Sequence, residues 1–380
     1  MLGGALAVLV LGAISPLDAL FAINLDVLLF LFGMFVVGEA LEESGYLYVL
    51  AHRLFHRATT LDQLVLLLIL SFGLLSAILM NDTLAIIGTP LMLYYARKMG
   101  IPPKVMLLSL CFAITTGSVL SPIGNPQNLL IAAYSGLDRP FVTFAAYLGL
   151  PSLLSLLLVF LLLRWCYRDE FARPIIFCTE ESIKDRALAS LSRYSLILLL
   201  CLILARSLSP LYPPLQAITL PLLAILAAIP ILLFSKQRLH LVRSIDWHTL
   251  IFFAALFVLM ESVWQSGVFQ GLFAPEMLAS NPTILVVSIL VSQFVSNVPF
   301  VALVQPLLIY QGMPISSLMA LAAGSTIAGN LTILGAASNV IVIQHAEAEG
   351  ETLTFVEFLK VGLPLTILQI LVFAFFLGWT

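Results

Sequence analysis

Apolar runs of about 18 or more residues recur along the whole chain, each long enough to cross a bilayer as a helix. The pattern predicts a short span over roughly Met1 to Ile14 and another from about Asp26 to Ser44, followed by an amphipathic stretch with His52, Arg53, His56 and Arg57. Leu61 to Leu79 then leads through Asn81-Asp82-Thr83 into a second apolar arm that ends in Arg97-Lys98-Met99-Gly100. Two arms joined by a polar tripeptide predict a helical hairpin. The next run, Val105 to Tyr134, is interrupted in its middle by Ser121-Pro122-Ile123-Gly124-Asn125-Pro126-Gln127-Asn128. Asp138-Arg139-Pro140 ends it, and a span from about Phe141 to Leu163 precedes the most charged segment, Arg164 to Arg193, which contains Glu180, Glu181, Lys184, Asp185 and Arg186. Spans resume near Tyr194 to Ser207 and Ile218 to Phe234, and after the basic Lys236 to Arg243 the order of the first half returns.

That return is visible residue by residue. Phe35-Val36-x-x-Glu39 and Ser44-Gly45 are matched by Phe257-Val258-x-x-Glu261 and Ser266-Gly267, and Ala22-Ile23-Asn24 by Ser244-Ile245-Asp246, all at an offset of 222. Asn81 and Pro90 pair with Asn297 and Pro306 at 216, Gly100 and Pro102 with Gly312 and Pro314 at 212, and Gly124 and Asn128 with Gly335 and Asn339 at 211. Phe141-x-x-Phe144 with Pro151 answers Phe355-x-x-Phe358 with Pro364. Landmarks that keep their order while the offsets drift slowly indicate an internal duplication. The expected architecture is an all-α polytopic membrane protein built from inverted-topology repeats, with about nine crossings, two helical hairpins and two broken helices. Residues 1–165 form the first membrane repeat, 166–193 a cytoplasmic linker and 194–380 the second repeat.

Composition agrees: 61% of the 380 residues are hydrophobic and 10% charged, far from the soluble averages of about 45–50% and about 25%. No basic tract suggests nucleic acid. Cys111, Cys166, Cys178 and Cys201 have neither CxxC spacing nor a nearby His, so they read as packing residues rather than a zinc or disulfide framework. Met1 opens directly into an apolar run without a basic n-region or a small-residue cleavage pattern, which argues against a removable signal peptide.

Charge placement predicts orientation. The first half returns the chain to its starting side, and the extra span near Tyr194 starts the second half from the opposite face. Of the 17 basic residues, all but Arg139 and Arg206 then collect on one face. That is the cytoplasmic signature, which places the N-terminus inside and the C-terminus outside an inner, or plasma, membrane.

The candidate chemistry lies at the interruptions. A Gly-Asn-Pro break at mid-depth is tolerable only where it faces protein or a wet cavity. Pro126 suits the start of a second half-helix. Such a break offers carbonyls to a cation and N–H groups to an anion at one place. A matching break over Gly335-Ala336-Ala337-Ser338-Asn339 makes the pair the mark of a transporter's central site. Asp82, a carboxylate deep in the membrane, reads as the proton or Na⁺ coupling group, with N-capping of the following arm as its alternative. Glu39 and Glu261 occupy equivalent places and read as proton carriers or interfacial anchors. No Arg or Lys lies at mid-membrane depth, so an anion would be held by helix ends, amides, hydroxyls and a bound cation. The absence of HExxH and GxSxG motifs argues against an intramembrane hydrolase, the remote alternative, and against an enzyme generally.

Ser-Pro-Ile-Gly-Asn-Pro-Gln-Asn at 121 to 128, Asn-Asp-Thr at 81 to 83 and Ser-Asn-Val-Pro at 296 to 299 resemble the ion transporter superfamily. That group comprises arsenite permeases, citrate-transporter-like proteins and divalent anion:sodium symporters; bacterial anion permeases with a Gly-Asn-Pro-Gln-Asn signature are especially similar. The resemblance implies an inverted-repeat fold with two hairpins, a scaffold domain that often forms a homodimer, and a transport domain that moves as an elevator. It implies substrate contacts from Asn81, Thr83, Ser296 and Asn297 at the hairpin tips and from Ser121, Gly124, Asn125, Pro126, Asn128, Gly335, Ser338 and Asn339 at the breaks. Ion coupling would fall to Asp82 with Asn81, Asn125, Asn297 and Asn339, where Na⁺ would bind, and no other cofactor is expected. Asp82 and Val298 depart from the Ser-Asn-Thr tips of the symporters. The expected function is cation-coupled transport of a small anion, either an inorganic oxyanion such as arsenite or a carboxylate. A Na⁺/H⁺ antiporter using Asp82 is the alternative.

Overall fold

A computed structural model of the chain describes residues 1–171, 184–268 and 278–378. The charged segment read as a linker lies partly outside these residues, and with it Cys178, Glu180 and Glu181. Among the described residues there are nineteen α-helices and no strand. Five helices are long and apolar enough to cross a bilayer, or six if the bent pair Pro16–Ala22 and Leu25–Glu43 counts as one span.

In chain order the first half comprises α1 (Leu2–Val10), α2 (Pro16–Ala22), α3 (Leu25–Glu43), α4 (Tyr46–Phe55), α5 (Leu61–Leu79), α6 (Asn81–Met99), α7 (Pro103–Ser118), α8 (Pro126–Tyr134) and α9 (Pro140–Cys166). The short α10 (Arg168–Phe171) follows. The second half comprises α11 (Arg186–Ser207), α12 (Leu220–Phe234), α13 (Arg238–Ser244), α14 (Trp247–Gln265), α15 (Asn281–Val295), α16 (Asn297–Tyr310), α17 (Ile315–Ile327), α18 (Ala337–Ala348) and α19 (Phe355–Gly378). Helix α11 begins at Arg186, inside the charged segment, where the Asp185 carboxylate accepts from the N–H groups of Ala187 and Leu188.

The helices sort into two bodies. Helix α3 packs along α12, which packs along α11, while α1 and α2 lie against α14; this group is the first body. The hairpins, the broken helices, α9 and α19 form the other body. Within it the halves are interleaved. The first arm of each hairpin packs on the first half-helix of its own repeat, α5 on α7 and α15 on α17. The second arm packs on the second half-helix of the other repeat, α6 on α18 and α16 on α8. Contact between the two bodies is sparse and runs through α3, α11 and α14.

Small residues permit the tightest crossings in the second body. A Cβ on Gly117 of α7 would run into the Gly73 backbone of α5, the close backbone approach that membrane helix pairs use in place of a hydrophobic drive. Phe112 and Phe358, with ring centroids 4.8 Å apart, fasten α7 to α19. At the rim, Arg97 donates to the Glu349 carboxylate and to its carbonyl oxygen, both at 2.7 Å. Arg164 reaches Asp62 at 2.6 Å, and Lys104 pairs with Glu357. These pairs are solvent-accessible, so each contributes about 0–1 kcal/mol.

Candidate functional site

Both hairpins turn at a strained residue. Met80 (φ 65°, ψ 142°) and Ser296 (φ 74°, ψ 156°) separate the two arms in each case. The hairpin helices α6 and α16 therefore start at Asn81 and Asn297. Asp82 consequently lies within the first turn of α6 and is not its N-cap, which corrects the capping alternative; its charge there still suits the helix dipole.

Each tip asparagine grips the glycine of its own repeat's break. The main-chain N–H of Asn81 donates to the Gly124 carbonyl at 2.9 Å, and the side-chain amide of Asn297 donates to the Gly335 carbonyl at 2.9 Å. The Asn81 amide also crosses to Ser338 Oγ of the other break at 3.4 Å. Both glycines are sterically required, since a Cβ at Gly124 would overlap the Ser118 carbonyl and one at Gly335 the Ala328 carbonyl.

The breaks are held open by asparagine clasps. Asn128 Nδ2 donates to the carbonyls of Ser118 (3.1 Å), Val119 (3.3 Å) and Ser121 (3.1 Å). Asn339 Nδ2 donates to those of Gly329 (2.6 Å) and Thr332 (3.5 Å), the counterparts of Ser118 and Ser121 at the offset of 211. These carbonyls lie at and just beyond the ends of the first half-helices, where regular intrahelical partners run out. Asn125 caps α8 through the Asn128 N–H at 2.9 Å, and its amide reaches Ser118 Oγ and Thr326 Oγ1. Thr326 in turn donates to Asn128 Oδ1 at 3.3 Å, tying the first break to α17.

The second side is less complete. Asn125 corresponds to Ala336, so α18 has no side-chain cap. The buried Oδ1 atoms of Asn297, Asn330 and Asn339 lack hydrogen-bond partners among the described residues, whereas those of Asn81, Asn125 and Asn128 all accept.

A cavity of about 410 Å³ lies between the bodies where tips and breaks converge. Of the residues that the sequence singles out, Asn81, Asp82, Pro126, Ser296 and Asn297 line it. Ser121, Gly124, Asn125, Asn128, Gly335, Ser338 and Asn339 stand one layer behind. Thr83 lines an adjoining crevice of about 80 Å³ that also holds Glu39, Glu42, Asp82 and Asp246. The sequence reading missed Gln127, Asp246, His248 and Thr249 as cavity residues. Asp246 was visible only as a landmark of the repeat, opposite Asn24. No Lys or Arg lines either space, and no group of three His, Cys, Asp or Glu suited to a metal occurs among the described residues.

The crevice has a symmetry mate. Phe35, Gly38, Glu39, Ile86 and Ile341 in it correspond by the repeat offsets to Phe257, Met260, Glu261, Ala302 and Leu130, which line a third space of about 470 Å³. One member of the pair is shut and its counterpart is roomy. The shut one closes where Gly38 of α3 meets Thr83 of the hairpin: a Cβ on Gly38 would lie 2.6 Å from Thr83 Cγ2.

Two hairpins meeting two broken helices at one cavity are the architecture of a membrane transporter rather than of an enzyme. The comparisons agree, and the chain belongs to the citrate transporter family, whose model matches residues 1–314. A protein of Mycobacterium tuberculosis described as an uncharacterized transporter is 28% identical over 99% of this chain and 92% of its own length. The inner membrane protein YbiR of Escherichia coli is 28% identical over 86% of this chain and 81% of its own. The YdaH transporter of Alcanivorax borkumensis shares the fold, with a TM-score of 0.60 at 17% identity over 92% of this chain and 84% of that one.

Proposed function

We propose that the chain is a secondary transporter that carries a small anion, a carboxylate such as citrate or an inorganic oxyanion such as arsenite, by alternating access coupled to a cation. The observation that carries this reading is the pair of repeat-related vestibules, about 470 and about 80 Å³, flanking one cavity that both hairpin tips and Pro126 line. The first body serves as a scaffold past which the hairpin body slides in an elevator-type movement, and each vestibule opens as its counterpart closes. Sparse contact between the bodies suits such a slide. The scaffold, free of site residues apart from α3 and α14, is the surface for a homodimer. The N-terminus is cytoplasmic, and residues 166–193 link repeats 1–165 and 194–380 on that side.

The lining selects how an anion is held. With two carboxylates and neither Lys nor Arg around the cavity, a bare anion would meet like charge. It therefore enters with its charge offset by Na⁺ or H⁺, and its oxygens take the Asn81, Gln127 and Asn297 amides and the start of α8. The same carboxylates favour the second reading, a Na⁺/H⁺ antiporter working through Asp82. Flux into proteoliposomes separates the two: solute accumulation driven by a cation gradient supports the first, and proton movement driven by Na⁺ without any solute supports the second.

A further inference from the structure

We propose that Asp82 and Asp246 form one proton-sharing site across the seam between the bodies, with Asp82 carried by the moving hairpin and Asp246 by the scaffold. The proposal deepens the transport reading above and rests on it.

Both carboxylates line the central cavity and the crevice beside it. The duplication makes their coincidence informative. Asp82 corresponds to Val298 and Asp246 to Asn24; both charged members line the cavity and the crevice, whereas Val298 lines only the cavity and Asn24 neither space. Capping alone does not demand the charge at Asp246, whose Oδ2 also accepts from Thr249 Oγ1 at 2.5 Å. Its Oδ1 caps α14 through the Thr249 N–H at 3.0 Å, and Asn24 caps α3 in the same way through the Val27 N–H at 2.9 Å. Asparagine caps as well as aspartate does.

A second observation points to the ligand. Asn297 is only 6% exposed, lines the same cavity, and leaves its Oδ1 without a donor among the described residues. A carboxylate offers no hydrogen to that oxygen, whereas a protonated carboxyl does. The titratable groups around Asp82 are Asp246 and His248 from the start of α14 and Glu39 and Glu42 from α3; the lining residues of α8, α16 and α18 carry no charge. Glu39 and Glu42 mark the way by which water delivers the proton. On arrival it bonds to one carboxylate oxygen, the pair passes from two negative charges to one, and repulsion across the seam falls. On release the proton returns to water and the second charge is restored. The scaffold thus senses whether the hairpin body is loaded.

Infrared difference spectra of the purified, reconstituted full chain between high and low pH test this without any transported solute. The wild type is expected to show a protonated-carboxyl band that Asp82→Asn removes. In Asp246→Asn the pH midpoint of that band moves by at least about one unit, because the neighbouring charge is gone. Asp246→Ser, which also keeps a capping oxygen, gives the same shift if the α14 cap is not the cause. An unmoved midpoint in both Asp246 variants, or a carboxylate band that follows Na⁺ and ignores pH, overturns the proposal. A shift in a chain that moves no anion would leave the site standing and sink the transport reading instead.

Discussion

Met80 and Ser296 are the only non-glycine residues with positive φ among those described, and they are 216 positions apart at the turns of the two hairpins. The duplication has thus kept a strained backbone at both tips although the side chains differ. Strain of this kind costs about 1–3 kcal/mol per residue and persists where the surroundings over-determine it. Here the surroundings are the grips of Asn81 and Asn297 on Gly124 and Gly335. The turn brings the Asn81 N–H of α6 and the Asn297 side-chain amide of α16 onto the breaks.

Glycine at these two turns should have opposite effects. Ser296 is exposed and loses little on truncation, so Ser296→Gly is expected to raise stability by about 0.5–2 kcal/mol as strain relief outweighs chain entropy. Met80 is fully buried, so Met80→Gly forfeits core packing of about 2–5 kcal/mol and lowers stability. Thermal unfolding in detergent measures both.

Gly124→Ala and Gly335→Ala should each destabilise the chain by about 1–3 kcal/mol or prevent its folding, because the added methyl enters the carbonyl of Ser118 or Ala328. Gly149→Ala, in α9 with nothing within 4 Å of the new methyl, should instead be neutral or stabilising by up to about 1 kcal/mol. Yield and unfolding temperature distinguish these outcomes.

The two kinds of asparagine should separate in assay. Asn128→Ala leaves three carbonyls at the end of α7 without its amide, and the expected cost is about 1–3 kcal/mol of stability. Asn297→Ala gives up one bond, to the Gly335 carbonyl, and should cost less stability than Asn128→Ala while losing transport, since the residue lines the cavity. Unfolding and flux measured on the same preparations check the split.

Much of this site was legible in the sequence. The hairpins showed as apolar arms split by polar residues, the breaks as Gly, Asn and Pro inside a spanning run, and the repeat as drifting offsets. Each of these is a local signal. Asp246 was not legible as a site residue, because its role depends on the start of α14 reaching a hairpin tip from another body. The exchange of second arms, α6 onto α18 and α16 onto α8, is likewise a long-range contact that leaves no periodicity. The turn itself was displaced: Asn81-Asp82-Thr83 reads as the loop, yet the strain falls on Met80, whose apolar side chain gives no turn signal.

The vestibules predict a labelling pattern. In a cysteine-free background, Ala302→Cys in the roomy vestibule should react with a hydrophilic maleimide, while its counterpart Ile86→Cys in the shut crevice should be protected. Gly38→Ala, which crowds Thr83 at the shut side, should raise the reactivity of Ile86→Cys. Equal labelling of both positions in all backgrounds would show that the vestibules do not alternate.

The most direct test of cation-coupled transport through the central cavity is concentrative uptake by the purified chain in proteoliposomes. Labelled citrate, succinate, sulfate and arsenite are offered with proton and sodium gradients imposed or collapsed. The account predicts that at least one solute accumulates against its own gradient, that accumulation ends when the cation gradient is collapsed, and that Asp82→Asn and Asn297→Ala abolish it. Solute flux indifferent to every cation gradient, or unchanged in both variants, would contradict it.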